Sequence, residues 1–446
     1  SFPTRRSSDL TIVGASGTSS HHTQQQDNGD LNRAAKATFI GNFVEWFDYG
    51  AYGYLAATIA MVFFPESDRT TALMSAYAVF AASFIVRPLG GIFWGYIGDR
   101  YGRRPALSWS ILIMTVATFL IALLPGYATI GIAAPVLLLL LRLAQGFSAS
   151  GEYAGGATFL AEYAPPEKRG FYTALIPAST AAGLLLGSLM AAALYGLLSE
   201  EALKEWGWRL PFLLAAPFGL VGRYIRLKLE ETPSFQAAMA NAHPESVPIK
   251  RLFKEHPKAL LVAFLVACLN AVAFYLILSY MPEYLSENMG VGKTESFVAA
   301  SVSLLSYVGF IFMMGKLSDR YGRKAMLIAA SVLFVVLTVP LFMAFGWGGF
   351  GLILLIQIIF GAILSVNDGT LPAFLSELFP TDVRYTGFAF SFNSANALMG
   401  GTTPLVATWL ISVSGSKISP AWYLMAVAVV AMLAVLCVKD NSRKVL

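Results

Sequence analysis

The chain has 446 residues, of which 56% are hydrophobic and only 13% charged, with a formal charge of +5 and two cysteines. A soluble domain carries about a quarter of its residues as charged side chains, so an ordinary soluble enzyme is excluded, as are a disulfide-built scaffold and a cysteine-rich metal site. The basic residues gather in alternate loops between apolar runs, a pattern of orientation in a membrane and not of a nucleic-acid surface.

Residues 1–36 read as a disordered polar tail rich in Ser, Gln, Gly and His. Its first ten residues, Ser1 to Leu10, resemble the translation of a sequencing adapter and are taken as an assembly artefact. Twelve apolar runs of about 20 residues follow, each long enough to cross a bilayer. They centre near residues 50, 85, 115, 148, 182, 217, 269, 305, 335, 363, 396 and 429. The expected fold is therefore an all-α membrane protein, with one six-helix bundle over 37–226, a second over 258–439, a polar linker over 227–257 and a tail over 440–446. The loops with Arg100, Arg103 and Arg104, with Lys168 and Arg169, with Arg226 to Lys258, and with Arg320, Arg323 and Lys324 fall on one side with the C-terminal tail. The positive-inside rule then predicts that both termini are cytoplasmic. Gly183 and Gly187 in the fifth run have the spacing of close helix packing. Pro177 and Pro372 predict bends in the fifth and tenth. Cys268 and Cys437 read as small core residues.

Charges within apolar runs are the best guide to function, because each costs at least about 2.5–3.5 kcal/mol at bilayer depth. The first run carries Glu45, Asp48 and Tyr52 on one helical face, with Trp46 beside them. Two crowded acids favour holding a proton, so Glu45, Asp48 and, in the fourth run, Glu152 are candidates for proton coupling. Arg87 in the second run and Arg142 with Gln145 in the fourth must pair with carboxylates, carbonyls or a substrate anion. Asn270 and Tyr275 in the seventh run, Asp368 in the tenth and Asn393 in the eleventh complete the candidate substrate site.

Two patterns occur twice. Gly95-Tyr-Ile-Gly-Asp99-Arg100-Tyr-Gly102-Arg103-Arg104 returns 220 positions later as Gly315-Lys-Leu-Ser-Asp319-Arg320-Tyr-Gly322-Arg323-Lys324. Glu162-Tyr-Ala-Pro-Pro-Glu-Lys-Arg169 returns 215 positions later as Glu377-Leu-Phe-Pro-Thr-Asp-Val-Arg384. The chain is thus two copies of one plan, as in many secondary transporters. The acids Asp99 and Asp319 are placed to pair with neighbouring cations or helix ends, forming latches that break when the halves rock.

The first repeat resembles the signature of the major facilitator superfamily. Gly41-Asn42 with Glu45-Trp46-Phe47-Asp48, Arg87-Pro-Leu-Gly-Gly91, Gln145-Gly-Phe-Ser148 with Gly151-Glu-Tyr153, Trp206-Gly-Trp-Arg-Leu-Pro-Phe212 and Leu229-Glu-Glu-Thr232 narrow the resemblance to its metabolite:proton symporters. Tyr280-Met-Pro-Glu-Tyr-Leu-Ser286 and Ala421-Trp-Tyr-Leu-Met425 are most similar to the proline/betaine carriers of that branch. The resemblance implies two pseudo-symmetric bundles and proton-driven uptake of a small polar solute through a bacterial inner membrane. The solute is then a zwitterion such as proline or glycine betaine, or alternatively a carboxylate such as α-ketoglutarate, citrate or shikimate. The expected partners are a small-molecule substrate, protons and the bilayer, with no cofactor, metal or nucleic acid, and with a monomer as the working unit. A membrane solute sensor is a third reading. Enzymatic motifs, such as a P-loop, a nucleophile elbow or H-E-x-x-H, are absent from the sequence.

Overall fold

The computed structural model of the chain describes residues 16–240 and 247–446, and every regular element in them is helical. Eleven helices among the described residues are long and apolar enough to cross a membrane. With the first helix they make twelve: α1 (Ser16–Tyr54), then α2 (Met74–Arg100), α3 (Arg103–Leu123), α4 (Ala133–Tyr163), α5 (Pro166–Leu197), α6 (Gly207–Leu227), α7 (Pro257–Asn288), α8 (Lys293–Tyr321), α9 (Arg323–Ala344), α10 (Phe350–Leu378), α11 (Arg384–Ser414) and α12 (Ser419–Leu436). The first helix misses the apolarity of the others because Asn42, Glu45 and Asp48 fall within it.

That helix also begins earlier than the composition suggests. It is continuous from Ser16, so the expected disordered tail is corrected over 16–36. The physical reason lies at its inner end, where Leu31, Ala34 and Ala37 are buried against the bundle and tie the turn down. The rest of that expectation, residues 1–15, lies outside the described residues. So do linker residues 241–246, which separate two short helices, Pro233–Ala240 and Pro248–Glu255.

Large apolar side chains such as Ile85, Leu89, Leu140, Leu305, Val336 and Leu405 stand exposed around the outside. In water such a girdle would aggregate; in lipid it is the required surface. Small residues let the helices inside it approach closely. A Cβ at Gly183 would lie 2.6 Å from the carbonyl oxygen of Phe43, and one at Gly187 would lie 3.0 Å from that of Phe47, so α5 packs backbone to backbone on α1. Both prolines singled out above sit just after interruptions, Pro177 beyond Ala174 and Pro372 beyond Thr370. In the first turn of a new helical segment the missing N–H has no partner to lose. The two cysteines part company: Cys268 is buried as expected, but Cys437 is exposed at the end of α12 because the helix terminates there and leaves it uncovered.

Two seams join the halves. At one, α2 meets α11, where a Cβ at Gly95 would lie 2.5 Å from the Cα of Thr386. At the other, α8 meets α5, where a Cβ at Gly315 would lie 2.6 Å from the carbonyl oxygen of Gly170. The repeated glycines therefore occupy equivalent places in the two seams.

Candidate functional site

The repeated loops gather at one end of the bundle, and their acids reach across to the other half. Asp99 accepts hydrogen bonds from the backbone N–H of Tyr385 (3.1 Å) and of Thr386 (2.8 Å), and from the Thr386 hydroxyl (2.7 Å). Asp319 accepts from the N–H groups of Gly170 (2.7 Å) and Phe171 (2.9 Å). Each carboxylate thus sits on the first turn of a helical segment in the opposite half, where N–H groups lack partners and the helix dipole favours negative charge. These are helix-end latches.

Beneath each latch lies a buried ion network that the loop-cation reading did not foresee. Glu162 accepts from Arg103 (2.9 Å) and from Arg384 of the second half (2.5 Å). Glu377 accepts from Arg323 (3.1 Å) and from Arg169 of the first half (2.9 Å). Arg103, Arg169, Arg323 and Arg384 are all buried, so they are structural keystones as well as topology markers. The second repeat, Glu162…Arg169 and Glu377…Arg384, is the signal that could have found them: each glutamate bonds the arginine of the other copy. Gly102 and Gly322, with φ of +121° and +94°, let the chain turn tightly before α3 and α9. At those turns Glu231 accepts the Arg104 N–H (3.1 Å) and Asp440 the Lys324 N–H (3.3 Å). Arg104 also donates to the Leu227 carbonyl (2.5 Å), whereas Arg100 and Arg320 lie against neighbouring tyrosine rings.

Deeper in the first half, three ion pairs hold the intramembrane charges. Arg87 donates to Glu45 (3.1 Å) and lies 4.9 Å above the Tyr49 ring. Arg142 donates to Asp48 (2.9 Å) and Gln145 (2.8 Å), and stacks over Tyr52 at 4.3 Å. Glu152 grips Arg226 through both oxygens, at 2.7 and 2.9 Å, and accepts from Ser110 (2.6 Å). Sequence reasoning placed Arg226 among the loop cations; the structure corrects this, since α6 carries Arg226 inward against α4 and Gly41 of α1 leaves room for its pair with Glu152. Arg226→Ala would strand the Glu152 carboxylate, at about 3–5 kcal/mol. A melting temperature in detergent several degrees below that of the parent protein is expected; an unchanged one would remove the structural role.

Between the halves, Trp46, Tyr153, Asn270, Phe274, Asp368 and Phe392 line a central cavity, together with Tyr307 and Asn396. Asp368 accepts from Asn270 (2.8 Å), Asn367 (3.0 Å) and Tyr307 (2.7 Å). Ring contacts between Trp46 and Phe274 (5.7 Å), Phe84 and Tyr275 (6.1 Å), and Tyr54 and Phe297 (6.4 Å) cross the halves beyond the cavity, away from the latches. Of the residues expected in the substrate site, Trp46, Asn270 and Asp368 are brought to this cavity. Arg87 and Tyr275 stand behind it, linked through contacts with Trp46 and Phe274. The remaining four are used elsewhere, Arg142 in its pair with Asp48. Tyr52 donates to the Ala76 carbonyl (3.0 Å), Gln145 to Thr118 (2.7 Å), and Asn393 to the Ser150 carbonyl across the α2–α11 seam (2.8 Å).

Duplicate latches, two six-helix sets and a cavity between them together describe an alternating-access carrier. The family model for the major facilitator superfamily matches residues 38–401 and 263–445. The chain belongs to the major facilitator superfamily. As a superfamily transporter and not an enzyme, it is 40% identical to the glycine betaine/proline/ectoine/pipecolic acid transporter OusA of Dickeya dadantii, over 94% of this chain and 85% of that one. It is 37% identical to the proline/betaine transporter of Escherichia coli K12 over the same shares. Among solved structures, the superfamily's proton:xylose symporter XylE with a bound bromodeoxyglucose superposes with a TM-score of 0.76 at 16% identity, covering 92% of this chain and 95% of that one. The inward-open form of XylE from E. coli fits less closely, with a TM-score of 0.61 at 16% identity, over 91% and 95%. The superfamily places this chain in a membrane with a small molecule as its cargo.

Proposed function

We propose that the chain imports a small zwitterionic osmolyte, such as proline or glycine betaine, across a bacterial inner membrane by proton symport, with the latched end facing the cytoplasm. One polypeptide supplies both halves, so the working unit is a monomer. The observation that carries the coupling is an asymmetry among the buried acids. Among the described residues, only Glu45 and Asp48 keep a buried carboxylate oxygen without a hydrogen-bond partner, Oε2 of one and Oδ1 of the other. Each is held from one side by an arginine, whereas Glu152, Glu162 and Glu377 are engaged through several bonds.

A proton arriving at Glu45 Oε2 neutralises the carboxylate and loosens Arg87, whose charge then needs a new anion. The substrate carboxylate supplies it. Proton and substrate therefore favour each other's binding, because both act on one arginine. When the substrate leaves, Arg87 returns to Glu45 and expels the proton. Asp48 and Arg142 offer a second copy of this arrangement one turn along α1, and Glu152 is reassigned here from proton carrier to anchor. The names borne by the relatives, transporters of proline and betaine, support the choice of cargo.

The direct test uses purified protein in liposomes with an inward proton gradient, offered labelled proline, glycine betaine, α-ketoglutarate, citrate and shikimate in parallel. Accumulation of the zwitterions, abolished by a protonophore, is expected. Accumulation of the carboxylates alone would overturn the reading.

A further inference from the structure

The intramembrane charges of the first half cancel: Glu45 with Arg87, Asp48 with Arg142, and Glu152 with Arg226. Asp368 in α10 is different. It is fully buried, and no lysine, arginine or histidine among the described residues lies within ion-pair distance of it. All three of its hydrogen bonds come from neutral donors, two to Oδ1 and one, from Tyr307, to Oδ2. Such donors stabilise a carboxylate without cancelling its charge. A carboxylate offers about four lone-pair sites, so one direction at Oδ2 stays open beside the cavity that Asp368 lines. An unbalanced charge at this depth is expensive and marks a working site.

The walls around it are aromatic. Trp46 packs on Phe274 with centroids 5.7 Å apart, and Tyr153 stacks on Phe392 at 4.2 Å. Aromatic faces attract cations, most strongly where water is excluded. A carboxylate flanked by rings serves two nitrogen chemistries at once. A secondary ammonium donates an N–H to Oδ2, and a quaternary ammonium, which has no N–H, meets the ring faces and the nearby charge. A second carboxylate on the solute would instead be repelled.

Building on the zwitterion reading above, we propose that Asp368 is the counter-ion for the substrate's cationic nitrogen, and that its uncancelled charge makes the cavity reject mono- and dicarboxylates. The second half thus holds the cation and the first half the anion of one zwitterion. Bringing the two charges to one solute couples substrate binding to closure of the halves.

The decisive probe is 3,3-dimethylbutyrate, the uncharged-carbon counterpart of glycine betaine, which keeps its shape and carboxylate but lacks the positive nitrogen. Binding to the purified full-length protein is measured for both compounds, with choline as a cation lacking the carboxylate. The parent protein is expected to favour glycine betaine over dimethylbutyrate by about 30-fold or more, the worth of a charge-assisted contact. In Asp368→Asn that ratio is expected to fall to within a few fold, while Asp368→Glu keeps most of it. Choline is expected to compete in the parent protein and not in Asp368→Asn. An unchanged ratio in Asp368→Asn overturns the proposal, as does unchanged binding coupled to loss of proton-driven uptake, which would make Asp368 a proton carrier. If Asp368→Asn does not yield folded protein, the parent protein still decides: equal binding of glycine betaine and dimethylbutyrate, with no competition by choline, overturns the anionic subsite. Failure of the parent protein to bind or accumulate any zwitterion is a separate result, and it counts against the transport reading itself.

Discussion

Glu45→Gln is expected to abolish uphill uptake, so that the accumulated solute only equilibrates with the outside, while exchange of labelled for unlabelled solute continues. The amide keeps an oxygen for Arg87 Nη2 and adds no bulk, so the helix contacts of α1 survive. What disappears is the change of charge. A permanently neutral side chain mimics the protonated state, in which Arg87 is available to the substrate, and exchange runs through that state alone. Net transport needs the return of the empty carrier with Arg87 neutralised, and glutamine provides no anion for that step. Asp48→Asn tests the same logic for Arg142, which also retains Gln145 as a partner and should therefore be the less affected of the two. Uphill uptake undiminished in both variants would remove these acids from the coupling step.

Gly95→Ala should disable the carrier from a different direction. The added methyl meets the Thr386 Cα at 2.5 Å, and backbone has no rotamer by which to step aside. The α2–α11 seam must open or strain, at about 1–3 kcal/mol for an overpacked contact. Against two conformations of comparable energy this shifts the population roughly 5- to 150-fold toward the form open at the latched end. Two measurements read the shift: uptake, expected to fall by about the same factor, and labelling of a cysteine placed at Ala389, buried in this seam, expected to rise. Gly315→Ala, whose methyl would meet the Gly170 carbonyl oxygen at 2.6 Å, should act alike at the other seam. Normal uptake with an unlabelled Ala389 site in Gly95→Ala would show that the closeness of this seam is not needed for the cycle.

The twelve helices were readable because a run of about 20 apolar side chains has few other places to go. The repeated Gly-x-x-x-Asp-Arg motif was readable because its residues are neighbours in the chain. Partnerships between distant residues were not. Glu152 and Arg226 lie 74 positions apart, and a cation at the end of an apolar run looks the same whether it faces headgroups or turns inward. Arg142 was legible as a buried charge, but choosing Asp48 over Glu152 as its partner required the rotation of α4 relative to α1, which spacing along one helix does not supply. Tyr52 has the right phase on α1 for the site, yet it is buried within the first half, between Arg142 and the Ala76 carbonyl. The early start of α1 was hidden because its polar residues carry no helical stripe, and the burial of Leu31 and Ala34 that holds it is tertiary.

The latches also bear on how the two copies could drift apart. Asp99 and Asp319 hold mainly backbone N–H groups in the opposite half, at Tyr385 and Thr386 and at Gly170 and Phe171. The bond itself asks only for a backbone N–H, which any residue except proline presents, while packing adds its own demand: a Cβ at Gly170 would lie 2.5 Å from the Gly315 carbonyl oxygen. One partner in each contact is an aspartate and the other the start of a helix, to which Thr386 adds its hydroxyl. A change on the receiving side that the packing admits leaves the backbone bonds in place, and to that extent neither copy must wait for a matching change in the other. Likeness between the halves is accordingly kept in the aspartate loops and in Arg169 and Arg384, which stand immediately before the receiving N–H groups.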